Sequence, residues 1–225
     1  MFYLFLLAHL VADFMLQPYW LVKRKRRWDG LLIHGSIVLA CMLLLALFDR
    51  RALDLWPAML GITAVHVAAD WWKVHRCDKL FPRPIVPFLI DQVIHFGTLA
   101  LLLSASMPLA EVWTLEGSPL AAYAIYAAVY VVAAFAVPIG VMVWLDPQFR
   151  HATRAGEARA RSLVVGTMSV SLALLGGALA LPATLIGYAA ITRRPASEHP
   201  LDMPAGTFAV LLAAATLGAI LTLLL

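Results

Sequence analysis

The stretch "LLAHLVADFMLQ", residues 6–17, sets an imidazole, a carboxylate and an amide four residues apart in an otherwise apolar run. A helix turns once every 3.6 residues, so His9, Asp13 and Gln17 share one face. The remaining positions are Leu, Ala, Val, Phe and Met all round the helix. Such a helix is submerged, either in a protein core or in lipid.

The rest of the chain decides for lipid. Of 225 residues, 63% are hydrophobic and 13% charged, whereas a soluble domain is about half apolar and a quarter charged. Runs such as "LLIHGSIVLACMLLLALF" (31–48) and "FAVLLAAATLGAILTLLL" (208–225) are long enough to cross a hydrocarbon core about 30 Å thick. The expected fold class is all-α, a polytopic membrane helix bundle of about seven transmembrane helices. Spans are expected near 2–21, 31–48, 55–73, 86–105, 119–145, 163–190 and 205–225. The fifth holds Pro138; the sixth holds Gly176-Gly177 and then Pro182, which kink it or split off a half-helix. The loops are too short for a soluble domain. One integral membrane domain over 1–225 is expected, with a His/Asp-bearing half (1–105) and a packing half (119–225).

Cys41 and Cys77 imply no disulfide framework. "MFYLFLLAHL" has no positive region ahead of it, so it reads as a retained first span rather than a cleaved signal. The net charge of +4 reflects loops that orient the protein, not nucleic-acid binding. Thirteen Lys and Arg fall on one side: Lys23 to Arg27, Lys73, Arg76, Lys79, Arg83, Arg150, Arg154, Arg159 and Arg161. Arg50, Arg51, Arg193 and Arg194 fall on the other. The positive-inside rule puts the thirteen in the cytoplasm, the N-terminus outside and the C-terminus inside, in a bacterial inner membrane. Trp20, Trp28, Trp71 and Trp72 fit an aromatic belt at the cytoplasmic interface.

"LLAHLVADF" (6–14) aligns with "TAVHVAADW" (63–71), His9 on His66 and Asp13 on Asp70. The same offset of 57 lays "LLIHGSIV" (31–38) on "FLIDQVIH" (88–95), His34 meeting Asp91. Two hairpins thus share a register, as in a parallel repeat about an axis near the membrane normal.

Seven ionisable residues lie in the first four spans: His9, Asp13, His34, His66, Asp70, Asp91 and His95. A charged side chain within a span costs about 2.5–3.5 kcal/mol. Several become tolerable together if they pair, line water or bind a cation. At 1.5 Å per residue, all lie within about 16 Å of the interface marked by Trp20 and Trp72, in its cytoplasmic half. Imidazole and carboxylate are ligands for zinc, and also suit Mn²⁺ or Fe²⁺. His9, Asp13, His66 and Asp70 are the expected metal ligands, with His34 a further ligand or support. Asp91 and His95 are further ligands or the catalytic acid/base pair. Gln17, Lys73 and Gln92 are expected to bind substrate, Lys73 through a phosphate. A water on such a metal is a hydrolytic nucleophile near neutral pH. The alternative for each residue is a hydrogen bond that only holds helices together. His75, His151 and His199 read as solvated, and the glycines of the last two spans as packing positions.

With "AHLVADFMLQ", "LLIH" at His34, "HVAADWWK" and "FLIDQVIH" in that order over the first 100 residues, the sequence resembles an uncharacterised bacterial membrane family, "domain of unknown function 3307". "EARARSLVVG" and "IGYAAITRR" extend the resemblance more loosely. It implies a membrane bundle and no particular activity. A likeness of span number and site type alone links it to intramembrane zinc hydrolases of the ceramidase and adiponectin-receptor type, whose motif spacings are absent here. Bacterial membrane-bound metal-dependent hydrolases likewise place His and Asp in short apolar helices.

The residues therefore point to a metal-dependent hydrolase of a lipid or lipid-linked substrate, with the bilayer as its surroundings. A proton- or cation-coupled transporter and a scaffold with a structural polar core are the alternatives.

Overall fold

The computed structural model describes residues 1–77, 80–115, 118–151, 156–176, 186–187 and 198–224. Every regular element among the described residues is helical. Lipid offers the backbone no hydrogen bonds, so a helix, which satisfies its own, is the natural form for these runs. Six helical stretches are long and apolar enough to span: Trp28–Leu47, Arg50–Cys77, Ile85–Ser106, Pro119–Leu145, Gly156–Gly176 and Pro204–Leu223. The chain is a helical membrane bundle. It divides into two compact units, Met1–Ala128 and Val129–Leu225.

In the first unit, α1 (Phe2–Leu10) runs into a widened turn, Val11–Met15. The sequence predicted a first span reaching residue 21. The helix stops short because Pro18 has no N–H to donate and disfavours helix at Gln17 before it. Phe2–Met15 rises only about 20 Å, short of a span on its own. The chain restarts as α2 (Tyr19–Arg24), then α3 (Trp28–Leu44), α4 (Trp56–Trp72), α5 (Ile85–Ser106) and the short α6 (Leu109–Trp113).

α1 packs on α3 and α5, and α4 packs on the same two helices, which closes a four-membered ring. In lipid, helices are held by close packing and polar contacts rather than by hydrophobicity. Glycines permit that approach. A Cβ on Gly35 of α3 would lie 2.5 Å from Val67 Cγ2 of α4. A Cβ on Gly30 would lie 2.2 Å from the Arg24 carbonyl oxygen, so the start of α3 seats directly on the end of α2.

The ring is polarised along its length. One half is filled by Phe2, Phe5, Val38, Met42, Met59, Ile62, Leu99 and Leu103, all buried. The other half holds the seven titratable residues and ends at the basic segments.

In the second unit, the latter part of α7 (Pro119–Val131) passes through a widened turn, Val132–Ala136, into α8 (Val137–Leu145). Pro138 cannot donate to the carbonyl four residues back, and the wide turn before it absorbs the mismatch. α9 (Gly156–Gly176) begins seven residues before the expected 163, and α10 (Pro204–Leu224) packs along it. Arg159 and Arg161 thus lie on a helix, and Arg161 pairs with Asp202 at 2.6 Å. The glycines pack helices as expected: a Cβ on Gly166 would meet the Ala133 carbonyl oxygen at 2.5 Å, and one on Gly218 the Ala173 Cβ at 2.6 Å. Tyr130 and Ser171 join hydroxyls at 2.7 Å. Lys79, Glu116, Arg154, Gly177, Pro182, Arg193 and Arg194 lie outside the described residues, as does most of "IGYAAITRR".

Candidate metal centre

All seven titratable residues meet inside the first unit. Asp13 sits in the widened turn of α1, where the Leu16 N–H reaches back five residues to the Val11 carbonyl at 3.0 Å. Such turns recur at functional sites because they re-aim one side chain within an otherwise regular helix. The Asp13 carboxylate faces three imidazoles: Nε2 of His34 at 3.0 Å, of His66 at 3.5 Å and of His9 at 3.6 Å. His34 is fully buried, at 0% exposure, and its Nε2–H donates to Asp13 Oδ1.

His9, His66 and His95 form a second face. Their ring centroids lie 4.1–5.3 Å apart. Each is buried, and the Nε2 of each has no hydrogen-bond partner among the described residues. For His95 the tautomer follows from geometry. Its Nδ1–H donates to the Asp91 carbonyl at 2.6 Å, so in the neutral ring the lone pair is on Nε2. This backbone-anchored ring, with its free nitrogen turned inward, is the arrangement that orients metal-binding histidines.

The other two carboxylates carry lysines. Lys25 Nζ donates to Asp70 Oδ2 at 2.7 Å and to Gln17 Oε1 at 3.0 Å. Lys73 Nζ donates to Asp91 Oδ2 at 2.7 Å, and Gln92 Nε2 donates to the same oxygen at 3.1 Å. Asp70, an expected metal ligand, and Lys73, expected to meet a substrate phosphate, are each also half of an ion pair. His66 Nε2 also lies 3.3 Å from Asp70 Oδ2. In the sequence Lys25 is simply one of the orienting basic run, yet it is 4% exposed. Nothing in "KRKRR" singles it out. The one available signal was that a chain broken at Pro18 has to fold back over the end of its own helix.

Three sets of residues bring ligand-capable atoms within 4.8 Å of one another: His9, His66 and His95; Asp13, His34 and His66; and Asp70, Asp91 and His95. In a tetrahedral zinc site with bonds of about 2.0–2.1 Å, neighbouring ligand atoms stand about 3.3 Å apart. The His66 and His9 distances to Asp13, 3.5 and 3.6 Å, lie near that value. Three carboxylates against two ammonium groups leave one negative charge over, and it falls on Asp13, which is paired with no lysine among the described residues.

The remaining histidines lie elsewhere. His75 stacks on Trp71 with centroids 5.2 Å apart and donates from Nδ1 to the Trp71 carbonyl. In the second unit, Asp146 accepts the main-chain N–H of His151 at 2.8 Å. Burial opposes ionisation of Asp146, but the hydrogen bonds from Arg150 and His151 hold its carboxyl below the usual range. His199 is not solvated as the sequence suggested. It is 6% exposed, and its Nδ1 accepts the Leu201 N–H in a tight turn ahead of α10.

No curated protein matches this chain, and no solved structure matches it. A family model described as "Protein of unknown function (DUF3307)" matches residues 1–122, the stretch that carries every residue of the centre. The chain belongs to that family.

Proposed function

We propose that this membrane protein binds one divalent metal ion, zinc by the chemistry of the donors, through His9, His66, His95 and Asp13. On this reading it uses the ion to hydrolyse a lipid or lipid-linked substrate. The observation that carries the reading is the convergence of three buried Nε2 atoms without a hydrogen-bond partner beside a carboxylate that, among the described residues, is paired with no lysine or arginine. A buried polar atom left without a partner costs about 1–3 kcal/mol, and three together call for a shared ligand.

Three imidazoles and a carboxylate suit Zn²⁺, with Mn²⁺ and Fe²⁺ the next choices. When bound, such an ion supplies Lewis acidity and a water ionisable near neutral pH. His34 holds Asp13 by hydrogen bond and so fixes the ligand set. Asp70 and Asp91, tied to Lys25 and Lys73, set the charge around it.

The apolar half of the ring supports a one-sided site over a transport path. Phe2, Phe5, Met42, Met59, Leu99 and Leu103 fill the core beyond the histidines and offer nothing to carry an ion onward. We place the basic ends in the cytoplasm of a bacterial inner membrane, with the N-terminus outside, on the positive-inside rule.

The test is metal content. Full-length protein purified in detergent, then measured by elemental mass spectrometry, is expected to hold about one equivalent of zinc, the capacity of a single four-ligand site. His66→Ala and Asp13→Asn are expected to lose it. Wild-type protein far below one equivalent after zinc reloading, or variants that keep it fully, overturns the reading.

A further inference from the structure

We propose that the ligand received by this centre carries a phosphate group, and that Lys25 and Lys73 are the cations that grip it. The inference rests on the metal reading above and adds the class of substrate.

Charge is the first argument. Metal-binding imidazoles are neutral. A divalent ion beside Asp13 therefore leaves one surplus positive charge, because Asp70 and Asp91 are already balanced by Lys25 and Lys73. Surplus charge in a buried site is compensated by a counter-ion. The loaded centre thus favours an anion over a neutral ester or amide.

Position is the second. The ligand-capable atoms of Asp70, Asp91 and His95 lie within 4.8 Å of one another, and the two ammonium groups rest 2.7 Å from the first two. Both lysines therefore border the histidine that faces the ion. The Lys73 side chain is 27% exposed against 3% for His95, so Lys73 stands at the rim and His95 beneath it. Half-buried Gln17 and Gln92 hydrogen-bond into the same two pairs. A ligand anion entering from that rim meets Lys73 first and the ion last.

The identity of the anion follows from the number of positive groups. Each lysine sits on a different carboxylate and an ammonium has three donors, of which Lys25 gives two and Lys73 one to the partners named above, so each can add a bond to a separate oxygen of a phosphate that also meets the ion. Lysine acts as a point-charge phosphate binder. Exposed Lys23, Arg24, Arg26 and Arg27 lie on the chain segment that delivers Lys25. Such basic segments concentrate anionic headgroups at a membrane surface.

Zinc-loaded full-length protein in an uncharged maltoside micelle is to be titrated with inorganic phosphate and with dodecyl phosphate, dodecanol serving as the uncharged control. Binding is read by calorimetry, and zinc is measured in the same sample. A saturable phosphate signal is expected from zinc-loaded protein and not from zinc-free protein. The paired variants K25M/D70N and K73M/D91N remove both members of an ion pair, so neither leaves a buried orphan charge. They are expected to retain zinc and to bind phosphate about tenfold more weakly, the loss of one charge-assisted hydrogen bond. Tighter binding of dodecyl phosphate than of inorganic phosphate assigns the site to a lipid headgroup, and equal binding assigns it to free phosphate; either supports the proposal. Zinc retained without phosphate binding, dodecanol binding as tightly as its phosphate, or paired variants that bind like wild type each overturn it alone. Absence of zinc overturns this inference together with the metal reading.

Discussion

At the scale of single residues, His34 tests whether Asp13 is held for a purpose. Its ring touches no lipid and no solvent, and one nitrogen is given to Asp13 at 3.0 Å. If Asp13 is a ligand, His34 is the group that aims it. His34→Gln is then expected to weaken zinc binding about 10–100-fold, the usual effect of losing a group that orients a ligand. Competition against a chromophoric chelator reads that number; affinity unchanged by His34→Gln would separate the histidine from the metal. Lys25 offers a different experiment. Removing one partner of a buried pair costs about 3–5 kcal/mol, because the other charge is stranded. Lys25→Met is expected to lower the melting midpoint in detergent sharply, and adding Asp70→Asn is expected to recover most of the loss. A single variant as stable as the double one would mean that the pair is not buried in the working protein. The titratable residues that meet here were legible in the sequence because a charged group in an apolar run is costly and so informative. Lys25 was hidden by its neighbours. In a run of five basic residues, loop orientation explains all of them equally well, and only the three-dimensional return of α2 distinguishes one.

At the scale of elements, α2 is the piece that organises the mouth of the ring. It exists because Pro18 ends α1 early, and its position is fixed where Gly30 meets the Arg24 carbonyl. Arg24 adds hydrogen bonds to Asp29 at 2.7 and 2.9 Å, although so exposed a pair contributes little. The glycine matters more, because the atom it would strike belongs to the backbone and cannot rotate away. Gly30→Ala is expected to cost about 1–3 kcal/mol through overpacking and to loosen the Lys25–Asp70 contact. Thermal melts give the first effect. Hydrogen exchange at Leu21 and Lys25, whose amides close α2, gives the second; unchanged protection there would show that α2 does not depend on the close approach. Hydropathy predicted the long helices well, since lipid permits little else. It missed the end of α1, because "LLAHLVADFMLQ" stays apolar up to the break and Pro18 reads equally as a kink. It also missed the widened turns at Val11–Met15, Lys73–Cys77 and Val132–Ala136, which come from backbone hydrogen-bond register and leave no mark in side-chain polarity.

At the scale of the molecule, the first unit has a direction. Titratable groups gather at one end of the ring, beside Lys25 and Lys73, while apolar side chains fill the other. The offset of 57 in the sequence pairs α1 with α4 and α3 with α5, and each of these pairs faces across the ring rather than along it. The sequence supplied the pairing; the closure of the ring was illegible, because apolar helix faces resemble one another whichever neighbour they meet. At the apolar end the turn before α4 is built from polar groups of its own. The Asp49 side chain accepts the Arg51 N–H at 3.0 Å, and the Arg51 guanidinium holds the Asp49 carboxyl below its ordinary range. Exposed charges of this kind are expected at the water boundary, like the exposed ones of the Lys23–Arg27 segment at the other end. Orientation then rests on the imbalance between five basic residues there and two here. Single cysteines placed at exposed Arg26 and exposed Arg50, in a background lacking Cys41 and Cys77, report it directly. A membrane-impermeant maleimide applied to intact cells is expected to label Arg50→Cys and to reach Arg26→Cys only after permeabilisation. The opposite pattern would turn the centre to face outward, and a hydrolase drawing its substrate from the cytoplasmic leaflet would no longer fit the geometry.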